Sequence, residues 1–337
     1  MFTTEGAGPR VGVRSGGHVF EAAGVSTLLE SASLLPLLGA GRTAWEEVIR
    51  DVGRALPDLA PIPISEVSMH LPCRIGDYVD FYSSLSHAQN VGRIFRPNSE
   101  PLTPNWRYLP IGYHGRSGTI KVDGTPIPRP HGQRAQGDFG LSQRLDFELE
   151  MGFITGDGPG EIPVAEAEDY IFGLVLVNDW SARDIQAWEY QPLGPFLGKS
   201  FATTISPWVV PLSELASRRI EAPVQDPPPL PYLTPPGSSI DLDLEVRLNG
   251  RVISRSNLRH LYWTMSQQLA HATSNGATLR AGDLFASGTI SGPTHDSLGC
   301  LLEITEGQGP FLHDGDTVSF TAGDAAFGTC SGTIQPR

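Results

Sequence analysis

The sequence contains few of the features that mark secreted, zinc-binding or membrane proteins. Its three cysteines, Cys73, Cys300 and Cys330, lie far apart and form no CxxC pair, which argues against a disulfide framework or a thiolate zinc site. No apolar run approaches the roughly 20 residues of a membrane-spanning helix. The N-terminus shows no basic region followed by an apolar one, so we expect no signal peptide and a cytoplasmic location.

Basic residues are also scarce. The chain carries 24 Lys and Arg against 37 Asp and Glu, a formal net charge of −13. A surface of this sign repels nucleic acid and anionic membranes, so we expect neither as a partner. A local pocket of Arg and Lys can still bind an anionic small molecule.

The chain is rich in residues that form loops, with 38 Gly and 29 Pro among 337 residues. This composition favours many short strands and turns, in one large domain with a smaller one. Helical spacing of Trp45, Val48, Ile49, Val52 and Leu56 predicts an early helix. The proline-spaced residues 56–64 then predict an extended linker, so we place a domain boundary between residues 1–65 and 66–337.

Beyond that boundary the pattern indicates short strands with a few helices. We predict helices over residues 80–93, 181–189 and 262–274, a proline-rich surface loop over 222–240, and a short apolar strand over 301–304 that carries Glu303.

Acidic and apolar residues alternate without a break over residues 144–153. In a strand, Asp146, Glu148 and Glu150 share one face and the apolar residues share the other. Either the acids face water, or they line a cleft where neighbouring carboxylates need a cation. Periodicity alone favours the solvent-facing interpretation.

Two further groups of polar residues are candidates for chemistry. Asp179, Arg183, Gln186 and Tyr190 have helical spacing, which fits either a polar site or a capped surface helix. His87 follows Asp80 by two predicted helical turns, and is either a structural histidine or a general base. Glu303 either faces solvent or has a partner, because an unpaired carboxylate is costly to bury, and His87 is our candidate for that partner.

Lys199 lies in a glycine-rich turn, residues 194–200. This turn lacks the spacing of a phosphate-binding loop. Lys199 is therefore either a single functional cation or a solvated surface lysine.

Longer motifs, in a fixed order, closely resemble the fumarylacetoacetase family. The resemblance runs from about residue 66 to the C-terminus and is carried by residues 68–72, 75–84, 110–116, 145–151, 178–186, 192–201 and 286–293.

The resemblance implies a fold and an activity. The expected fold is mainly β with some α, with a fumarylacetoacetase-type mixed β-sandwich roll as the catalytic domain, preceded by a small SH3-like β-rich domain. The implied enzyme is a homodimer that hydrolyses the carbon–carbon bond of 4-fumarylacetoacetate, a small diketo dicarboxylate, to fumarate and acetoacetate. This is the last step of tyrosine and phenylalanine degradation. The alternatives are another member of the superfamily, an acylpyruvate hydrolase or a 2-oxo-acid decarboxylase, or a non-catalytic metal-binding or scaffold protein.

The resemblance also implies roles for individual residues. A divalent ion, Mg²⁺ or Ca²⁺, is expected at Asp80, Glu148, Glu150 and Asp179, with Lys199 and Thr203 beside it. His87 matches the base that activates water, oriented by Glu303. Arg183, Gln186 and Lys199 match groups that stabilise developing negative charge. The matches to substrate contacts are Tyr82, Arg96, Tyr113, Gln186, Tyr190 and Thr289.

Overall fold

The computed structural model describes residues 1–323 and 325–337. Its centre is an eight-stranded mixed sheet, which we name the central sheet. In spatial order its strands are Gly112–His114, Tyr78–Phe81, Leu284–Ala286, Leu149–Thr155, Ile171–Asp179, Thr203–Ile205 and Ile120–Val122, with Val210–Pro211 also paired to Ile171–Asp179.

A five-stranded sheet, the second sheet, packs on one face of the central sheet. Its strands in order are Arg251–Asn257, Asp243–Leu248, Thr317–Ala322, Thr329–Gln335 and Ile127–Pro128. Gly12–Ser15, His18–Glu21 and Pro61–Pro63 form an N-terminal sheet. The two-stranded pairs are Phe2–Thr3 with Ser68–Met69, His131–Ala135 with Asp138–Leu141, Leu145–Asp146 with Ser181–Ala182, and Arg219–Glu221 with Ser238–Ile240.

Helices are short and lie around these sheets. Within the described ranges they are Leu35–Gly39, Arg42–Ala55, Leu85–Phe95, Arg183–Glu189, Met265–Thr273 and Leu301–Ile304. None of them is long and apolar enough to cross a membrane. The predicted mainly β fold with some α is confirmed.

The central sheet is covered on both faces. On Ile171–Asp179, Leu174 and Leu176 pack into a core shared with the second sheet, while Val175 and Val177 pack into a core shared with the N-terminal segment. Every residue of this strand is buried, which explains its continuous apolar run. The central sheet is therefore a middle layer that is buried on both faces. The division into domains at residue 65, and the SH3-like character of the first, stay predictions.

The linker predicted over residues 56–64 is wrong. Pro61–Pro63 pairs with the strand His18–Glu21, opposing Ile62 to Val19. The prolines restrict the backbone to extended conformations, and the N-terminal sheet uses that conformation as an edge strand.

The helix predicted over residues 80–93 is wrong at its start. Asp80 lies in the strand Tyr78–Phe81, and the helix runs from Leu85 to Phe95. Ser84 caps this helix, because its hydroxyl accepts a hydrogen bond from the His87 N–H at 3.3 Å. Asp80 and His87 are thus related by a strand, a turn and a helix, and not by helical spacing.

Asp179 is likewise a strand residue. It ends the strand Ile171–Asp179, and the helix begins only at Arg183. Arg183 and Gln186 keep the predicted helical relation, whereas the helical relation of Asp179 to them is wrong. The strand continues for two residues beyond Val177, the last residue of the apolar run.

The strand predicted over residues 301–304 is also wrong, since Leu301–Ile304 is a short helix. Four residues are too few for periodicity to distinguish a buried helix from a buried strand. The third predicted helix is confirmed over Met265–Thr273, with Thr264 and Gln267 forming a capping box.

Candidate active site

Three strands of the central sheet bring three carboxylates together. Asp80 comes from Tyr78–Phe81, Glu150 from Leu149–Thr155 and Asp179 from Ile171–Asp179. One oxygen of each lies within 4.8 Å of the others. All three side chains are buried, and so are Asp146 and Glu148, so the solvent-facing interpretation of the acidic residues is wrong.

The single strand predicted over residues 144–153 is also wrong. These residues form two strands, Leu145–Asp146 and Leu149–Thr155, with Glu148 between them. Glu148 and Glu150 both face the internal site, whereas Asp146 does not.

The protein leaves two carboxylate oxygens of this cluster without a partner. Asp80 Oδ1 and Glu150 Oε1 are buried and have no hydrogen-bond partner among the described residues. Burial and the Asp179 carboxylate raise the pKa of Asp80 well above its ordinary value. Burial, Asp80 and Asp179 do the same to the pKa of Glu150. Orphaned carboxylate oxygens that converge in this way are the donors that a hard divalent cation takes, so the residues fit such an ion.

Hydrogen bonds from neighbouring side chains orient two of the carboxylates. Tyr113 donates to Asp80 Oδ2 at 3.0 Å and lies 3.3 Å from Asp179 Oδ2. Thr203 donates to Asp179 Oδ1 at 3.3 Å. These contacts leave the orphaned oxygens of the cluster free.

Glu148 differs from its neighbours, because two cations already pair with it. Lys199 Nζ contacts one oxygen, and Arg183 Nη1 lies 2.9 Å from the other. Burial alone would raise the pKa of Glu148, but these cations hold it below its usual range. Lys199 also lies 2.5 Å from Asp179, and the two acids raise the pKa of its buried amine, so that it stays protonated.

A histidine and a carboxylate form a buried pair beside this network. His87 Nδ1 lies 2.6 Å from Glu303 Oε2. Ser291 donates to the same oxygen at 2.7 Å, and Asn90 donates to Oε1 at 2.9 Å. Burial opposes ionisation, but these partners lower the pKa of Glu303. Since an ionised carboxylate only accepts, His87 Nδ1 carries the hydrogen and Nε2 is free to accept a proton.

Arg183 is held on two of its three nitrogens. Nε donates to Asp146 Oδ2 at 2.9 Å, and Nη1 donates to Gln186 Oε1 at 3.1 Å. Nη2 is buried and has no hydrogen-bond partner among the described residues. The described residues thus leave the N–H groups of Nη2 unpaired.

A cavity of about 460 Å³ joins these groups. Its walls contain most of the residues singled out from the sequence, namely Asp80, Tyr82, His87, Arg96, Tyr113, Glu148, Glu150, Arg183, Gln186, Tyr190, Lys199 and Thr289. Asp179 and Thr203 line a neighbouring cavity of about 320 Å³, which shares Tyr113 and Lys199 with the first. Glu303 lines neither cavity. It contacts His87, which lines the first.

Sequence reasoning missed several residues of the site. Asn90 and Ser291 complete the hydrogen bonds of Glu303, and Phe95 and Leu102 form part of an apolar wall. No local pattern marks them. Asp146 did carry a signal, since it shares the acidic alternation, yet only the structure shows its contact with Arg183.

Comparison with known proteins agrees with this geometry. The model of the family described as "Fumarylacetoacetate (FAA) hydrolase C-terminal" matches residues 78–335. The chain belongs to the fumarylacetoacetate hydrolase family. It is 50% identical to the fumarylacetoacetase of Arabidopsis thaliana, over 90% of this chain and 83% of that protein. It is 43% identical to the human fumarylacetoacetase, over 100% of this chain and 94% of that protein.

The fold of this family member also matches solved structures. A maleylpyruvate hydrolase from a Sphingobium species, in complex with manganese(II) and pyruvate, superposes with a TM-score of 0.61 at 18% identity, over 100% of this chain and 99% of that chain. This likeness shows that the predicted fold class is correct.

Proposed function

We propose that this chain hydrolyses 4-fumarylacetoacetate to fumarate and acetoacetate. The observation that carries the proposal is the shared cavity, which joins a buried His–Glu pair, two anchored cations and an incomplete carboxylate cluster. Family membership and relatives with this activity over most of the chain support the same reaction.

The reaction begins with activation of water. His87 Nε2 accepts a proton from a water molecule as its oxygen attacks the ketone carbon on the fumaryl side. Glu303 fixes the orientation of the ring and stabilises the imidazolium that forms. Arg183 Nη2 and the Lys199 ammonium offset the charge that develops on the attacked oxygen.

The carbon–carbon bond then breaks, and its electron pair passes to the acetoacetate fragment as an enolate. Transfer of the proton from His87 to that carbon completes the addition of one water across the bond. A divalent ion supplies Lewis acidity for the diketone oxygens when it is bound.

We assign that ion to Asp80, Glu150 and Asp179, with Glu148 as the fourth ligand. Their oxygen donors suit Mg²⁺ or Ca²⁺, and a fold relative has been solved with manganese(II). Lys199 and Thr203 belong beside the ion. A protonated amine has no lone pair to donate, so Lys199 neutralises charge there and does not coordinate.

We further place the substrate's carboxylate and body against Tyr82, Arg96, Tyr113, Gln186, Tyr190 and Thr289, all of which line the cavity. Arg96 is the cation of this set. Its Nη2 donates to the Pro101 carbonyl at 2.6 Å, which anchors the side chain and leaves other N–H groups for a carboxylate.

The homodimer remains part of the proposal. Large apolar side chains are exposed around the helix Arg183–Glu189 and the turn that follows it, among them Trp188, Phe196 and Leu193, which is 96% exposed. Exposed groups of this kind mark interaction surfaces, and a second copy of the chain is the partner that we infer. The three free, buried thiols fit a reducing cytoplasm.

The experiment is to mix the purified chain with fumarylacetoacetate and follow loss of the diketone absorbance, before and after chelation. We expect hydrolysis that stops on chelation and returns with Mg²⁺ or Ca²⁺. A folded, ion-loaded protein that leaves fumarylacetoacetate intact but cleaves an acylpyruvate would contradict the proposed substrate.

A further inference from the structure

Asp146 is a fully buried charged residue beside the active-site cavity, yet it does not line the cavity wall. Its side chain is completely buried in the short strand Leu145–Asp146. Oδ2 accepts hydrogen bonds from Arg183 Nε and from the Leu302 N–H, both at 2.9 Å. Oδ1 accepts from the Leu301 N–H at 2.8 Å and from the Phe147 N–H at 2.8 Å. Both oxygens of this carboxylate are therefore occupied by hydrogen bonds from other residues of the protein.

The two sides of this carboxylate lead to different parts of the active site. On one side, Arg183 continues to Glu148 at 2.9 Å. On the other, Leu301 and Leu302 begin the short helix that carries Glu303, which in turn contacts His87. Asp146 thus hydrogen-bonds both to Arg183, which stabilises negative charge, and to the helix that carries Glu303, which orients the base.

The hydrogen bond to Asp146 restricts the orientation of the whole Arg183 guanidinium. A guanidinium is planar, so a hydrogen bond that Nε donates also fixes where Nη1 and Nη2 point. The N–H groups at the start of a helix need acceptors, and Asp146 supplies one to each of the first two residues of Leu301–Ile304. The position of Glu303 relative to Arg183 is therefore set through Asp146.

We propose that Asp146 is a positioning residue, which holds Arg183 and the His87–Glu303 pair in the relative placement that hydrolysis requires. The inference rests on the proposed function. It assigns Asp146 no contact with the substrate and no proton transfer. Its effect is on the turnover step and not on binding.

The first test is Asp146→Asn, assayed for hydrolysis of fumarylacetoacetate beside the wild-type chain. The amide keeps the shape and one acceptor, but turns a donor toward the Leu302 N–H and Arg183 Nε. We expect kcat to fall about 100-fold, as expected for a displacement of about 1 Å in reacting groups, while KM changes less than about threefold.

Asp283→Asn is the matched control. Asp283 is also a buried carboxylate that accepts backbone N–H bonds, from Asp77 at 2.8 Å and from Arg280 at 3.0 Å, and it lines neither of the two active-site cavities. We expect its kcat to stay within about threefold of wild type, because Asp283 hydrogen-bonds to no active-site side chain. An equal loss of kcat in both variants would overturn the proposal.

A double-mutant cycle separates positioning from general support of the fold. In an Arg183→Lys background the ammonium cannot reproduce the planar set of donors of the guanidinium. Asp146→Asn should therefore lower kcat much less there than in the wild-type background. The same fold loss in both backgrounds would overturn a role exerted through Arg183.

If Asp146→Asn does not fold, Asp146→Ser takes its place in the cycle, since serine keeps an acceptor for the helix N–H groups and removes the charge beside Arg183. Wild-type kcat in the Ser variant would overturn the proposal. Failure of the wild-type chain to cleave fumarylacetoacetate overturns the proposed function itself, and this inference with it.

Discussion

The buried carboxylates at the two ends of the active-site cavity differ in whether their oxygens have hydrogen-bond partners. At one end both oxygens of Glu303 are occupied, Oε1 by Asn90 and Oε2 by His87 and Ser291. At the other end Asp80 and Glu150 each keep a buried oxygen without a hydrogen-bond partner among the described residues. One end is complete as folded, and the other is complementary to a group that the polypeptide does not supply.

The pKa directions follow this difference. Hydrogen bonds and His87 overcome burial and lower the pKa of Glu303, whereas burial and like charge raise the pKa values of Asp80 and Glu150. Removing a partner of a buried, paired acid destabilises a fold, and a buried acid without partners destabilises it until a cation binds. The folded protein thus holds the His87–Glu303 pair in place without a ligand, whereas the charge of the carboxylate cluster is neutralised by an ion.

The largest effect is expected from His87→Ala. Removal of the proton acceptor should lower kcat by about 10³-fold or more, within the range that general base catalysis contributes. The measurement is steady-state hydrolysis of fumarylacetoacetate, with the exposed His18→Ala as the control. A variant that keeps a tenth of wild-type kcat would show that His87 is not the base.

Glu303→Gln should have a smaller effect on the same step. The amide keeps the contact with His87 but removes the charge that stabilises the imidazolium, so we expect kcat to fall about 100-fold. KM should stay close to wild type, since Glu303 does not line the cavity. A change confined to KM would contradict the arrangement of base and orienting acid.

Arg96→Gln tests the part of the cavity assigned to the substrate carboxylate. Loss of a charge-assisted hydrogen bond of about 2 kcal/mol should raise KM by about 30-fold, with little change in kcat. Arg107→Gln is the control, because Arg107 is a nearby cation that bonds to the Asp226 carbonyl and does not line the cavity. Equal KM values in the two variants would remove Arg96 from the substrate site.

The smallest effect is a change in stability whose sign differs between the two ends. Without added ion, Glu150→Gln should raise the free energy of unfolding by about 1 kcal/mol, because it removes a buried charge and lets an amide donate toward Asp80. Glu303→Gln should lower it by about 1 to 3 kcal/mol, because it breaks a satisfied network. Chemical denaturation after chelation measures both, and changes of the same sign would contradict the comparison.

The sequence predicted one end of the cavity better than the other. Alternation over residues 144–153 correctly grouped Glu148 with Glu150, both of which line the cavity, although Glu148 lies between two strands and not within one. It did not show which face was buried, because burial depends on the N-terminal segment and the second sheet that cover the central sheet. The family resemblance, and not periodicity, indicated an internal site.

The His87–Glu303 pair shows where local reasoning fails. The residues are 216 positions apart, and the elements predicted for Asp80 and Glu303 were both wrong. Their pairing was nevertheless expected, because an unpaired carboxylate is costly to bury and a base needs an acid partner. The chemistry of the residues was more informative than the predicted path of the chain.

The most direct test of this division is calorimetric titration of Mg²⁺ and of Ca²⁺ into His87→Ala and Glu150→Gln. We predict that His87→Ala binds an ion with wild-type affinity although it does not turn over, and that Glu150→Gln loses most of the affinity. Loss of ion binding in His87→Ala, or wild-type binding in Glu150→Gln, would contradict the separation of a preformed base from an ion-dependent carboxylate cluster.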